Sequence, residues 1–138
     1  VIVGQVTRST GLPTEDGHFL FTTYELQVVS TVRLMEGQVT VPSTIKLVRP
    51  GGEFAVGSTI VRATHDSYPP LMLGSRYWLL VGHVRKTGAF VSRQTSAVFA
   101  LSSEGAKLLE PPPDEGFLRA IPTEVLEAEV KGAKCPPR

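Results

Sequence analysis

Few residues of this chain have the type and spacing to do chemistry. The histidines are His18, His65 and His83. A metal site needs two or more donors that converge at close helical or hairpin spacing, and no two of these histidines stand so. His65-Asp66 is the one place where an imidazole has a carboxylate beside it, the pairing that a general base and its orienting acid require. The same dipeptide at a strand end also serves as a turn entry, with Asp66 bonded to local backbone, and that is the simpler reading. His18 follows Gly17 in a turn-forming cluster, and His83 follows Gly82 in a strand-like run, so both read as structural. Cys135 is the only thiol and lies beside prolines, with no internal disulfide partner and no neighbouring motif that would activate it. Glu15-Asp16 and Asp114-Glu115 fall in turn or connector sequence. No serine sits in a Gly-x-Ser-x-Gly context. Gly51-Gly52 is followed by Glu53-Phe54 instead of Lys-Ser/Thr, so it is not a phosphate-cradling loop. The residues favour a non-enzymatic protein without metal or cofactor. A small hydrolase-like enzyme using His65 and Asp66 is the alternative.

A contact surface is easier to locate than a reaction. The loop from Asp66 to Arg76 carries Tyr68, Pro69, Pro70, Leu71, Met72 and Leu73, much apolar area where polar residues are usual. Such a loop either packs down as a plug on the core or offers a patch to a partner. On the second reading the contact residues are Tyr68, Pro70, Leu71, Met72 and Arg76. Tyr77 and Trp78, by contrast, open an apolar run and read as core.

These residues must be held by something, and size and charge bound what it is. The chain has 138 residues, 41% hydrophobic and 20% charged, enough for one domain with a real core. No stretch approaches the roughly twenty apolar residues of a membrane helix. The formal charge is +1, from 14 basic and 13 acidic residues. A nucleic-acid binder gathers a basic excess on one face, and here only Arg85, Lys86 and Arg93 cluster weakly. Single-stranded nucleic-acid binding is therefore a lesser alternative. The chain begins with Val1, which reads as a mature product whose targeting segment has been removed.

The strongest structural signal is Leu20 to Leu34. Leu20, Tyr24, Leu26, Val28, Val32 and Leu34 fall on one alternate set, and Phe21, Thr23, Glu25, Gln27, Thr31 and Arg33 on the other. A period of two over about fifteen residues predicts a long strand with one face on a core and the other in water. Val1 to Arg8 precedes it as a β-rich segment, and Thr10 to His18 reads as the intervening turn. Val39, Val41, Ile45 and Leu47 alternate next, with Pro42 marking an edge or bulge. Arg49 to Gly52 is a turn and Thr59 to Thr64 a short strand. Arg76 to Arg85 is a central strand, apolar on both faces near its centre, and Ala89 to Arg93 and Ala97 to Leu101 follow as two strands, or as one strand interrupted near Gln94 to Ser96. The stiff connector Pro111 to Gly116 then leads to one helix, Thr123 to Lys131, with Gly132 as its stop. A helix of about nine residues does not persist alone in water, so it must dock, through Val125, Leu126 and Val130. The expected fold is mainly β: an antiparallel OB-type barrel, closed or partly open, over residues 1–110, with the connector, helix and tail of 111–138 in the same domain.

Several of these stretches together resemble a known family. VIVGQVTRS opens the chain, TVRLMEGQVTVP ends the long strand, KLVRPGGEF places a Gly-Gly after a strand, and LGSRYWLLVG sets a glycine before an aromatic-led apolar strand. With the late helix, this order resembles the netrin-like domain, the OB-type barrel shared with tissue inhibitors of metalloproteinases, and especially its bacterial exported relatives. The resemblance spans most of Val1 to Lys131. It implies a barrel and an extracytoplasmic home, secreted or periplasmic. The inhibitors of that family use an N-terminal cysteine to chelate zinc and brace the barrel with disulfides. Here Val1 stands first and Cys135 is the only cysteine, so the inhibitory activity is not carried over. The sequence reading is an extracytoplasmic binding or structural module with a possible protein partner.

Overall fold

A computed structural model describes residues 1–34, 40–65, 68–84, 86, 89–92, 98–109 and 122–132. The fold is mainly β. Eight strands form one sheet and two form a separate hairpin. In chain order the strands are β1 (Ile2–Pro13), β2 (Leu20–Thr31), β3 (Thr44–Pro50), β4 (Gly52–Val56), β5 (Thr59–Ala63), β6 (Arg76–Leu79), β7 (Val81–Val84), β8 (Ala89–Ser92), β9 (Val98–Ser102) and β10 (Gly105–Leu108), followed by helix α1 (Thr123–Gly132).

The large sheet runs β10-β9-β6-β1-β2-β3-β8-β7. β3 and β8 pair in parallel, Leu47 with Phe90 and Val48 with Val91. Every other described pair is antiparallel. Only Leu80 separates β6 from β7. β6 pairs with β1 on one side and β9 on the other, while β7 pairs with β8. β8 and β9 thus lie in succession along the same flank of the β6–β7 line.

The alternation read from Leu20 onward sets the core. Tyr24 and Leu26 are buried against Ile45 and Leu47 of β3, Ile2 and Val6 of β1, and Tyr77 and Leu79 of β6. Burying a side chain of this size is worth about 1.5–3 kcal/mol, so this inner face dominates the stability of the sheet. The expected burial of Tyr77 and Trp78 also holds. Trp78 packs edge-on to Phe99 with ring centroids 5.5 Å apart, although its buried Nε1–H finds no acceptor among the described residues.

Several element boundaries differ from those expected. β1 continues to Pro13, pairing with β2 as far as Leu20, so the turn shrinks to the segment around Thr14–Phe19. Its ladder shifts register between Val3 and Gly4 and between Val6 and Arg8, bulges that let a long strand bend. β2 ends at Thr31, short of Leu34. β4 and β10 were not anticipated, because segments of five and four residues are too short to carry a clear sequence alternation. The helix forms where expected, but none of its residues is fully buried and Val125 is exposed. Leu126 and Val130 are half-buried, so docking relies on these two and not on Val125. Arg85, Arg93, the proline-rich connector and Cys135 lie outside the described residues.

A candidate binding cleft between the hairpin and residues 68–73

The inner face of the sheet changes character along its length. At one end it is aliphatic. At the other, cross-strand neighbours are Ser9 with Tyr24, Tyr24 with Leu47, Gly11 with Thr22, and Thr22 with Arg49. Thr22 and Arg49 are the buried polar side chains of the described core. Arg49 follows Ile45 and Leu47 on the inward face of β3 and is only 1% exposed. A buried guanidinium demands hydrogen-bond acceptors and a polarisable surface. Its Nη2 donates to Pro69 O at 3.3 Å, and its charged carbon sits 5.4 Å from the centroid of the Tyr68 ring, within cation–π range.

Above this polar end, the hairpin β4–β5 and residues 68–73 enclose a cleft of about 750 Å³. Two glycines let the hairpin come so close. A side chain at Gly11 would meet the Glu53 carbonyl oxygen at 2.0 Å, and one at Gly52 would meet Thr22 Oγ1 at 1.9 Å. Gly52 also holds φ at 130°, open only to glycine at ordinary cost. Thr22 Oγ1 donates to Gly51 O at 2.7 Å and so pins the turn between β3 and β4.

The opposite wall is fixed from beneath. Leu71 N donates to Tyr24 Oη at 3.2 Å and Met72 N donates to Tyr77 Oη at 2.8 Å. These two phenols convert an irregular segment into a wall of set position. His65 stands edge-on to Tyr68, with centroids 4.9 Å apart and planes at 74°. At the rim, Arg62 and Glu53 form an exposed ion pair at 2.6 Å.

The candidate residues therefore separate. Tyr68, Pro70, Leu71 and Met72 all line the cleft. Leu71 is 5% exposed and belongs to the core, so its expected availability to a partner is corrected: its amide is tied to Tyr24 and its side chain plugs the sheet. Met72 and Leu73 are 63% and 64% exposed, and they carry the apolar surface that the sequence placed in this loop. Arg76 lies on the exposed side of β6, outside the cleft lining. His65 lines the cleft, while Asp66 lies outside the described residues. The side chain of His83 is also outside them, and His18 is exposed in the turn after Asp16. Among the described residues, no group of three or more His, Cys, Asp or Glu side chains is placed to hold a metal, and no helix is long and apolar enough to cross a membrane.

Sequence reasoning missed Arg49, Thr22, Gly11 and Gly52. A signal existed for two of them: the alternation of β2 and β3, carried on to Thr22 and Arg49, puts polar side chains on an inward face. Compared with protein-family models, with curated proteins and with solved structures, the chain finds no match.

Proposed function

We propose that this protein is a non-enzymatic, extracytoplasmic binding module built on an OB-type barrel, with the cleft between β4–β5 and residues 68–73 as its binding site. The barrel reading is supported by a circuit of pairings: β1 to β2, β2 to β3, β3 in parallel to β8, β8 to β7, and the contiguous β6 back to β1. A parallel contact between the third strand and a late strand is what an OB-type order requires. The extracytoplasmic home rests on the resemblance to netrin-like domains.

The observation that carries the binding reading is the pairing of two exposed apolar side chains, Met72 and Leu73, with a wall whose backbone is pinned by buried phenols. Large apolar groups in a loop normally collapse inward or are lost to solvent disorder. Here the anchoring below keeps them presented, at the mouth of a cleft of the size that small ligands and peptide side chains fill. The ligand class this lining suits is apolar or aromatic, with hydrogen-bonding groups that reach the Gly51–Gly52 and Thr64 backbone.

The test is amide chemical-shift mapping against a library of hydrophobic peptides and aromatic fragments. Shifts should concentrate in residues 50–53, 62–65 and 68–73. Met72→Ser with Leu73→Ser should abolish them without changing the melting temperature. Shifts centred on β6 and β9, or retained in that double variant, would remove the cleft from consideration.

A further inference from the structure

We infer that strand β5 is a self-association edge, through which two copies of this chain pair antiparallel about a twofold axis at Val61. The inference is independent of what the cleft binds.

The hairpin β4–β5 forms its own sheet. β4 lies on the side of β1 and β2, where the Glu53 carbonyl comes against Gly11, so β5 is the outer strand. Among the described residues no backbone hydrogen bond reaches the outer edge of β5. The turn is Gly57-Ser58, with Gly57 at φ 58°, and Val56 pairs with Thr59. In a two-residue hairpin the pair next to the turn is hydrogen-bonded, and the pattern then alternates. Phe54–Val61 and Gly52–Ala63 are thus the further bonded pairs. The N–H and C=O groups of Ile60 and Arg62 point the other way, toward the open edge.

Soluble proteins usually guard such an edge with lysine, proline or a bulge. The sequence Thr59-Ile60-Val61-Arg62-Ala63 has none of these. Its one charge, Arg62, is engaged by Glu53 of the same hairpin. Ile60 is 64% exposed and Val61 49% exposed, on opposite faces, so the edge presents apolar surface above and below.

A second copy fits this edge by its own pattern. In the register centred on Val61, Ile60 lies opposite Arg62 of the partner subunit, and Arg62 opposite Ile60 of the partner subunit. These are the residues whose backbone groups face outward in each copy, so the new ladder forms without disturbing the old one. Val61 faces Val61 of the partner subunit in the wide pair, where side chains approach most closely. A register centred on Arg62 would set like charges directly opposite each other, which cross-strand pairing disfavours. The Val61 register keeps each arginine on its own Glu53 and joins Phe54, Val56 and Val61 of both copies into one apolar strip.

Sedimentation equilibrium of the full chain, from micromolar to near-millimolar concentration, should show a monomer–dimer equilibrium. Ile60→Pro removes only an outward N–H and should leave thermal unfolding unchanged while abolishing the dimer. Val61→Lys sets two ammonium groups together at the axis and should raise the dissociation constant about tenfold or more. In a Cys135→Ser background, Val61→Cys should give a disulfide-linked dimer on oxidation, because the wide pair has Cα atoms about 4.5 Å apart. Ile60→Cys in the same background should not. A wild-type chain that stays monomeric throughout, a dimer that survives both Ile60→Pro and Val61→Lys, open-ended association, or equal cross-linking of the two cysteine variants would each overturn the inference.

Discussion

Arg49 of β3 and Tyr68 of the cleft wall are joined face to cation, with the guanidinium carbon 5.4 Å from the ring centroid. The contact links an inward-facing strand position to a segment that has no regular structure of its own. It explains why residues 68–73 hold a fixed wall even though two of their apolar side chains face solvent.

If that contact and the Pro69 bond secure the wall, Arg49→Lys should not substitute for arginine. A lysine lacks the planar fork and the delocalised charge that stacks on a ring. The expected loss is about 2 kcal/mol, read as a lower midpoint in urea. Tyr68→Leu keeps the apolar bulk and should cost about 1 kcal/mol. Equal stability of wild type and Arg49→Lys would mean that the ring stack contributes little.

The close approach of the hairpin makes glycine mandatory at two places and merely convenient at others. Gly11→Ala drives a methyl group onto the Glu53 carbonyl. Backbone cannot step aside as a flexible side-chain tip can, so a loss of about 3 kcal/mol or more is expected. Gly57→Ala meets nothing within 4 Å and has only its positive φ to accommodate, at a cost of about 1–2 kcal/mol. Thermal unfolding of the two variants should separate them clearly. Similar melting temperatures would show that the hairpin moves freely over β1.

Much of the sheet was legible because its physics is local. The inward set Leu20, Tyr24 and Leu26 repeats every second residue, and a strand has no other way to bury it. β5 was read as the short strand Thr59 to Thr64, but its hairpin partner β4 was hidden for the opposite reason. None of the five residues of β4 is fully buried, so only a weak period marks them, and Arg49 to Gly52 read as a turn with no strand directly after it. The continuation of β1 was masked by Thr10, Gly11 and Pro13, residues that usually make turns but here pair with β2. The cleft depends on sequence-distant neighbours, Gly11 with Thr22 and Thr22 with Arg49, which one strand read alone cannot reveal. Nor does any local pattern say that Leu71 turns inward while Met72 and Leu73 do not; the bonds from Leu71 N to Tyr24 and from Met72 N to Tyr77 decide that.

Asp16 gives the turn between β1 and β2 a dependence on pH. Its carboxylate accepts from the Thr14 hydroxyl and from His18 N–H, and these bonds hold its pKa below the ordinary value, the hydroxyl contributing most. A carboxyl group depressed in the folded state adds stability above its unfolded pKa and loses it as pH falls through the folded one. The group is fully exposed, so the effect should be local. Carbon-detected titration of Asp16 should show a pKa below that of a free aspartate. Protection of the His18 and Phe19 amides, relative to their intrinsic exchange rate at each pH, should fall on acidification, and Asp16→Asn should show the low protection already at neutral pH. An Asp16 titration at the ordinary aspartate value would contradict the bonding.

Arg33 joins the end of the β2 segment to the end of the helix. Its Nη1 donates to Val130 O at 2.6 Å, and its own carbonyl accepts from the Val1 amino group at 2.6 Å. A cation at the last turn of a helix meets unbonded carbonyls and the negative end of the dipole. Helix α1 has ten residues and none fully buried, so its persistence depends on such attachments more than on intrinsic helicity. Replacing Arg33 by Met should therefore loosen α1 by about 1 kcal/mol while the sheet stays intact. Hydrogen exchange should show faster amides across 126–131 and unchanged protection at Tyr24, Leu26 and Leu47. A global loss of protection would mean that Arg33 supports the sheet itself, and no change in α1 would mean that Leu126 and Val130 hold the helix by packing alone.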